Sequence, residues 1–591
     1  MKVLGIYDGH NTSVAYVDNG QIIFSASEER FSRIKLHDGR FDGLPWRSLE
    51  ETLRQIKGGK PDLVAIALMP PAKLFALVIK DIVSQRNWRW FLFWLGRWNK
   101  FGPLEYIACL VYNYFRQIRI LYMLWRHGLL SVKRQWFNHH EAHASAAYYT
   151  SGQQSATVCS LDGKGDGLCG AVYLGTGGDL IKIKEISKYH SIGYFYSIIT
   201  VGLGFKKMRH EGKITGLAAY GDCQTSIYQI FEKMFTYGKQ GFCFNFSEKL
   251  FQPPYPDFMD YKSVWEKIVP FLPVDFKRED VAFAVQKLTE ELCSRFVSQA
   301  VEETQEPFVA LTGGVFANVK VNQRVLELLN VSGVYICPAM GDEGLAAGAA
   351  LRAWAKRQKE EGRQVKIFKV DNVYFGPSYT EEAIKDALEK RDIKYVRYDE
   401  VELEIARLLH QGKVVARFNG RMEWGPRALG NRSILYQPTD KTVNDWLNKR
   451  LKRTEFMPFA PATLIEYQDQ CYRPVGDSDG QRKEYEMDYM TLTVECTDWM
   501  KEHCPAVVHV DGTARPQMIR RETNPSYYKI LDEYCKLSGL PTIINTSFNM
   551  HEEPIVCSPD DAIRSFLSGH LDYLAIGNFI ASYNDQKAKN H

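Results

Sequence analysis

Two stretches of this 591-residue chain repeat one order of elements, and that repetition limits the fold more than any single motif. The first, over residues 2–28, runs VLGIYDG, TSVAYV, the turn Asp18-Asn19-Gly20, then QIIFSAS. The second, over 156–187, runs ATVCSLDG, a glycine-rich turn, AVYLG, Thr176-Gly177-Gly178, then LIKIKEIS. Each copy is a strand ending in Asp-Gly (Asp8-Gly9 and Asp162-Gly163) followed by a hairpin. The Asn-Gly pair supplies the positive φ angles that a tight hairpin turn needs. A strand–acid–glycine turn used twice predicts two related halves with converging turns.

This is the pattern of a duplicated, actin-like ATPase fold, whose turns meet at a phosphate or a metal between the halves. Residues 279–305 and 343–361 read as amphipathic helices around the strands PFVALTGG and GVYICP. A charged stretch, KRQKEEGRQVK at 356–366, and Gly376-Pro377 predict a boundary near 365–380. A chain this long exceeds one hydrophobic core, so units of 1–365 and 375–591 are expected. The second unit alternates helix-like segments (EEAIKDALEKR, EVELEIARLLHQ) with strands (KVVARFNG, TIINTSF), an α/β pattern. Between the two copies, residues 75–136 are rich in aromatics and arginine, with apolar positions at helical spacing. They predict helices packed over the first sheet, lysine and arginine stems covering apolar surface. A lipid-facing or partner-facing patch is the alternative.

Several classes are argued against. The 12 cysteines include no CxxC pair, so neither a disulfide framework nor a thiolate zinc site is indicated. MKVLGIYDGH reaches Asp8 too soon for a signal-peptide core, and no uncharged apolar run has the length of a membrane span. A reducing cytoplasm is the expected setting. A formal GxGxxG (Gly165, Gly167, Gly170) runs into a strand rather than a helix, against a Rossmann site. GxxxxGK[ST] is absent. The net charge of +4 argues neither for nor against a polyanionic partner.

FNHHEAHASAAY, residues 137–148, places His139 and His143 four apart, one above the other on a helix face. With Asp162 and with Asp342 of PAMGDEGLAAGAAL they make a mixed N/O set suited to Fe(II), Mn(II) or Zn(II). Gly313-Gly314 of LTGGVFANVKVN stands at a strand end, where backbone can approach a nucleotide. The C-terminal half concentrates cations: Arg421, Arg427 and Arg432 in GRMEWGPRALGNRSIL, Lys449, Arg450, Lys452 and Arg453 in NKRLKRTEFMPFAP, and Arg515 in TARPQ. Arginines on glycine-rich turns suit bidentate phosphate binding. INTSFNMHEEP adds the small donors Asn545, Thr546, Ser547 and Asn549.

The ordered motifs EERFSR, NHHEAHASAA, DGKGDG, EGKITGLAAYG, LTGGVFAN, GDEGLAAGAA, GRMEWGPRALGNRS, MPFAPA and INTSFN carry a family resemblance. On them the chain resembles the NodU/CmcH-type carbamoyltransferases over nearly its whole length, 75–136 excepted. The resemblance implies an N-terminal half like the tRNA threonylcarbamoyl-transferase fold and a C-terminal half like threonylcarbamoyl-adenylate synthase. The C-terminal half would join carbamoyl phosphate and ATP, with Mg2+, into carbamoyl adenylate, releasing pyrophosphate. The N-terminal half would pass the carbamoyl group to a hydroxyl of a small-molecule natural product, releasing AMP. His139, His143, Asp162 and Asp342 would hold a metal, expected to be Fe(II). His10 would be the base or orienting group for the acceptor hydroxyl. Many relatives carry His-Asp at that turn, where this chain has His10-Asn11. Arg33, Lys35, Glu211 and Lys213 fall near the acceptor and adenylate. Gly313, Gly314, Asn318, Arg427, Lys452, Arg515, Asn545 and Ser547 would contact the nucleotide and phosphates. No nucleic-acid partner is implied, and a homodimer is compatible with the family. The rivals are a tRNA threonylcarbamoylation enzyme, which would want a basic face, and a non-catalytic actin-like ATP-binding regulator.

Overall fold

The computed structural model describes residues 1–56, 59–69, 102–222, 226–238, 241–245, 260–452, 458–476 and 480–587, with backbone alone for 102–112 and 587. In the first copy, β1 (Lys2–Tyr7), β2 (Ser13–Asp18) and β3 (Gln21–Ser27) form an antiparallel meander. Its second turn has Asn19 at φ 49° and Gly20 at φ 84°, the two left-handed residues that Asn-Gly predicts. Two parallel strands, β4 (Leu63–Ile66) and β5 (Lys133–Trp136), extend the sheet beyond β1. In the second copy, β6 (Ser155–Gly165), β7 (Leu168–Thr176) and β8 (Asp179–Ser187) repeat the meander. The parallel strands β9 (Phe308–Thr312) and β10 (Gly333–Ile336) follow β6.

The strand orders are therefore β3-β2-β1-β4-β5 and β8-β7-β6-β9-β10, one topology used twice. That is the duplicated, actin-like arrangement expected from the two Asp-Gly hairpins. A two-residue strand from far along the chain, Glu484–Tyr485, adds to β10 as the sixth member of the second sheet.

Two helices of small residues, His139–Thr150 and Leu345–Glu360, pack at the junction of the two sheets. The first is buried at every position except Glu141, so its sequence carries no polar face. A Cβ on Gly348 would stand 1.9 Å from the Ala142 carbonyl oxygen, and one on Gly5 would stand 1.9 Å from that of Ala346. The alanine–glycine runs let backbone touch backbone there, which brings the two strand-end turns together over one spot.

Segment 75–136 is partly a surprise. Residues 75–101 of it lie outside the described residues. Gly102–Arg126 is a helix, and Ile120, Met123 and Leu124 bury into the core of the first sheet, as expected. Lys133–Trp136 is a strand, which a helical reading of the segment missed. Its four residues are too few to show a period of two.

The C-terminal half is built on an eight-stranded mixed sheet. Its centre runs Tyr573–Ile576, Val415–Phe418, Arg432–Tyr436, Thr542–Ser547 and Ala460–Leu464. Helices Glu381–Lys390 and Val401–His410 and strands 415–418 and 542–547 stand where the α/β pattern puts them. Among the described residues no helix is long and apolar enough to cross a membrane.

Candidate metal centre and active site

Asn138 starts the His139–Thr150 helix, its side chain accepting from the backbone N–H groups of His140 and Glu141. The cap fixes the first turn, so both His139 and His143 project to one side. Asp162, three residues before the end of β6, and Asp342, before the Leu345–Glu360 helix, meet them there. His139 Nε2 lies 3.1 Å from Asp162 Oδ2 and 3.5 Å from Asp342 Oδ1. His143 Nε2 lies 3.3 Å from Asp342 Oδ1 and 3.9 Å from Asp162 Oδ2. One ligand atom from each of the four falls within 4.8 Å of every other.

Both imidazoles are buried, and His143 Nε2 makes no well-directed hydrogen bond. Burying a polar nitrogen without a partner costs free energy, so an ion among these four atoms fits the donor set. Burial alone would lower the His143 pKa, but the Asp162 and Asp342 carboxylates outweigh it and raise it to about 9. Burial would raise the Asp162 pKa; the two imidazoles instead hold it well below the usual carboxylate range.

The supports come from every side. The Tyr7 hydroxyl donates to Asp342 Oδ2 at 2.8 Å, and the Gly163 N–H to Asp162 Oδ1 at 2.7 Å. Thr312 Oγ1 stands 3.4 Å from His143 Nδ1, and the His139 N–H donates to Asp166 at 2.8 Å. Small residues are obligatory around them. A Cβ on Gly165 would lie 2.1 Å from the His139 ring, and one on Gly314 would lie 2.8 Å from Asp162 Oδ1. Gly313, at φ 95°, passes so close to the β6 backbone that a Cβ would meet the Leu161 oxygen at 2.1 Å. These two glycines therefore sit directly against the Asp162 strand end. Asn318 caps the helix Val319–Leu326, and its amide donates to Gln286 at 2.8 Å.

The two aspartates of the repeat part ways. Asp8, fully buried, is gripped by Arg116 of the Gly102–Arg126 helix at 2.6 and 3.1 Å. Sequence reasoning missed Arg116, which looks like any cation in an aromatic helix. Half-buried His10 sits in the turn that follows, beside Asp38, itself paired with Arg40. Next to His10, Asn11 adopts φ 59°, a conformation asparagine tolerates, and its Nδ2 donates to Glu343 Oε2 at 2.7 Å. An aspartate at position 11 would set carboxylate against carboxylate. Asn11→Asp is expected to lose this hydrogen bond and cost about 1–3 kcal/mol, read as a lowered melting temperature of the purified protein.

EERFSR works as a clasp between the two halves. Arg33 donates to the Ile555 and Pro554 oxygens at 2.8 and 2.7 Å and pairs with Asp561 at 3.2 Å. Arg30 donates to the Gly425 oxygen at 3.1 Å. Lys35 lies on the loop after the clasp, where its carbonyl accepts from Arg209. Lys213 is buried in the first turn of the helix Glu211–Ala218, and the Glu211 carboxylate accepts from Ser197 and the Met208 N–H. A second imidazole–carboxylate group, His210, His551 and Glu552, also joins the halves. The Lys206 N–H donates to His210 Nδ1 at 3.2 Å, which leaves Nε2 protonated and facing Glu552 at 3.2 Å.

The C-terminal cations divide into two kinds. Arg432 is fully buried and donates to the carbonyls of Asn419, Asn431, Gly420 and Pro377. Arg421 donates to the carbonyls of Gly376, Phe375 and Ile23. Both are therefore committed to holding loops, not phosphate. Half-buried Arg427 lies on the loop these two arginines and Glu423 stiffen, Glu423 accepting from the N–H groups of Leu429, Asn431 and Arg432. Asn545 donates to the Ala428 oxygen and to Gln517, and Gln517 donates to the Leu429 oxygen. Arg427, Asn545 and the unforeseen Gln517 thus share one neighbourhood. Ser547 is two residues further on the same strand, and half-buried Arg515 precedes the Gln517–Ile519 strand. Exposed Lys452 follows the Val443–Arg450 helix at φ 58°.

Comparison with known proteins matches residues 108–351 to the family model "Carbamoyltransferase N-terminus" and 406–582 to "Carbamoyltransferase C-terminus". An uncharacterized protein of Methanocaldococcus jannaschii is 30% identical over 98% of this chain and 99% of its own length. Nodulation protein NolO of Bradyrhizobium diazoefficiens is 32% identical over 75% of this chain and 78% of its own. The 3'-hydroxymethylcephem-O-carbamoyltransferase of Streptomyces clavuligerus is 27% identical, covering 61% and 62%. Carrying both halves of the model in order on one chain, the protein belongs to the NodU/CmcH-type carbamoyltransferase family and is a carbamoyltransferase.

Proposed function

We propose that the chain is an ATP-dependent O-carbamoyltransferase that works in two steps at two sites. In the C-terminal half, carbamoyl phosphate, ATP and water become carbamoyl adenylate, phosphate and pyrophosphate. Atom balance requires the water and the free phosphate beside the pyrophosphate. Arg427, Arg515 and Lys452 would bind the phosphates, with Asn545 and Ser547 as neutral donors, and Mg2+ would accompany ATP. In the N-terminal half the acceptor oxygen attacks the carbamoyl carbon. The bond from that carbon to the adenylate oxygen breaks, AMP leaves, and the hydroxyl proton passes to a base, assigned to His10.

The observation that carries the reading is the convergence of buried His139 and His143 with half-buried Asp162 and Asp342, where His143 Nε2 makes no well-directed hydrogen bond. A divalent metal on this set, Fe(II) by the family resemblance where the donors alone suit Fe(II), Mn(II) or Zn(II), would neutralise charge on the departing phosphate. Tyr7 holds Asp342 in place, and Gly163 holds Asp162. The finer likeness of the halves to threonylcarbamoyl-transferase and threonylcarbamoyl-adenylate synthase folds belongs to this reading, as does a cytoplasmic setting. The acceptor is taken to be a hydroxyl-bearing small molecule, since one relative is named for carbamoylating a hydroxymethylcephem.

The test mixes the full-length protein with ATP, carbamoyl phosphate and Mg2+. Pyrophosphate and phosphate should appear in equal amounts above the control lacking carbamoyl phosphate, and AMP should follow on adding a competent alcohol. Pyrophosphate release indifferent to carbamoyl phosphate sinks the two-step reading.

A further inference from the structure

The Gly102–Arg126 helix has two unlike faces. Ile120, Met123 and Leu124 face the first sheet, and Arg116 reaches Asp8 from the same side. On the opposite side stand Tyr114 at 62% exposure, Phe115 at 57%, Ile118 at 46%, Tyr122 at 51% and Trp125 at 58%. Positions 114, 118, 122 and 125 step by four, four and three, so they form one ridge along the helix. Leu130, 42% exposed, continues the apolar surface past the helix end. Six of the 21 exposed large apolar side chains among the described residues thus fall within residues 114–130. Elsewhere among the described residues such side chains occur singly or in smaller groups, Val269, Phe271 and Val274 being the largest within a few residues of sequence.

The same stretch of sequence is basic. Residues 82–134 contain nine lysines and arginines against one acid, Glu105. The resulting +8 exceeds the +4 of the whole chain, so the remainder of the protein is net acidic. Among the described residues of this stretch, Arg126, Lys133 and Arg134 are exposed near the Trp125 end of the ridge.

We propose that this face docks onto an anionic lipid surface. Tyrosine and tryptophan rings beside aliphatic side chains suit the boundary between headgroups and acyl chains, and the flanking cations suit anionic headgroups. A second copy of the chain is disfavoured as occupant, because a twofold contact would set one strongly basic segment against another. Docking by the outer face leaves the inner face, with Arg116, in contact with the Asp8 turn of the N-terminal site.

The test is vesicle co-sedimentation of the full-length protein. Binding to phosphatidylcholine vesicles carrying about 30 mol% phosphatidylglycerol should exceed binding to phosphatidylcholine alone by at least about tenfold, and should weaken in high salt. Phe115→Ser/Ile118→Ser/Trp125→Ser should lose at least about tenfold in binding to the anionic vesicles, with circular dichroism and melting temperature unchanged. Arg126→Glu should weaken binding at low salt only. Equal binding to both vesicle types, or a triple variant that binds like the parent, overturns the proposal. So does parental self-association that the triple variant loses, without vesicle binding, because it assigns the face to a second copy.

Discussion

In the His143→Ala variant, carbamoylation of the acceptor falls by at least about a hundredfold, since outer partners of metal ligands alone are worth 10–100-fold. Pyrophosphate release driven by carbamoyl phosphate stays within about twofold of the parent, because the residues proposed to form the adenylate lie in the other half. The variant removes the nitrogen that lies 3.3 Å from Asp342 and lacks a directed partner. It leaves the helix cap at Asn138 and the His139–Asp162 contact intact, so the fold should persist. Elemental analysis of the purified proteins provides the second readout. A variant that retains full metal and full transfer would remove these four side chains from the reaction.

Arg427→Ala should show the reverse pattern. A charge-assisted hydrogen bond to phosphate is worth about 1.5–3 kcal/mol, and one decade of rate is about 1.4 kcal/mol. Pyrophosphate release should therefore fall by about tenfold to a hundredfold, while transfer from supplied carbamoyl adenylate stays near the parental rate. The loop itself should survive, because its shape rests on Arg432, Arg421 and Glu423. Arg432→Ala makes the contrast. It would strand several buried carbonyls and is expected to lower the melting temperature. Pyrophosphate release unaffected by Arg427→Ala would locate the phosphates elsewhere in the C-terminal half.

The parts of the molecule legible in the sequence are those governed by local chemistry. Asn19 and Gly20 had to take positive φ, so the hairpin could be read, and the second hairpin followed by repetition. His139 and His143 are separated by one helical turn, and Asp162 lies in the last part of a recognisable strand. The unread parts are contacts made across long sequence separations. Arg116 lies 108 residues from Asp8, and Tyr7 lies 335 from Asp342. Nothing near either residue announces its partner. The arginines of EERFSR and GRMEWGPRALGNRS were legible as unusual but not as to role. A guanidinium that binds phosphate and one that ties down carbonyls look alike until the loop geometry is known. Glu484–Tyr485 is two residues long and shows no periodicity, so its place in the second sheet was beyond reach.

That short strand bears on how this protein can be taken apart. It belongs by sequence to the C-terminal half, yet it pairs in register with Gly333 and Val334 at the edge of the N-terminal second sheet, the Glu484 N–H donating to the Ser332 oxygen. A gene cut in the linker near 365–375 would leave the first fragment with β10 uncapped and its row of peptide groups open to whatever strand came next. The second fragment would carry a strand with no sheet to join. Two halves that read as separable modules on paper are, in the folded chain, laced together across that cut.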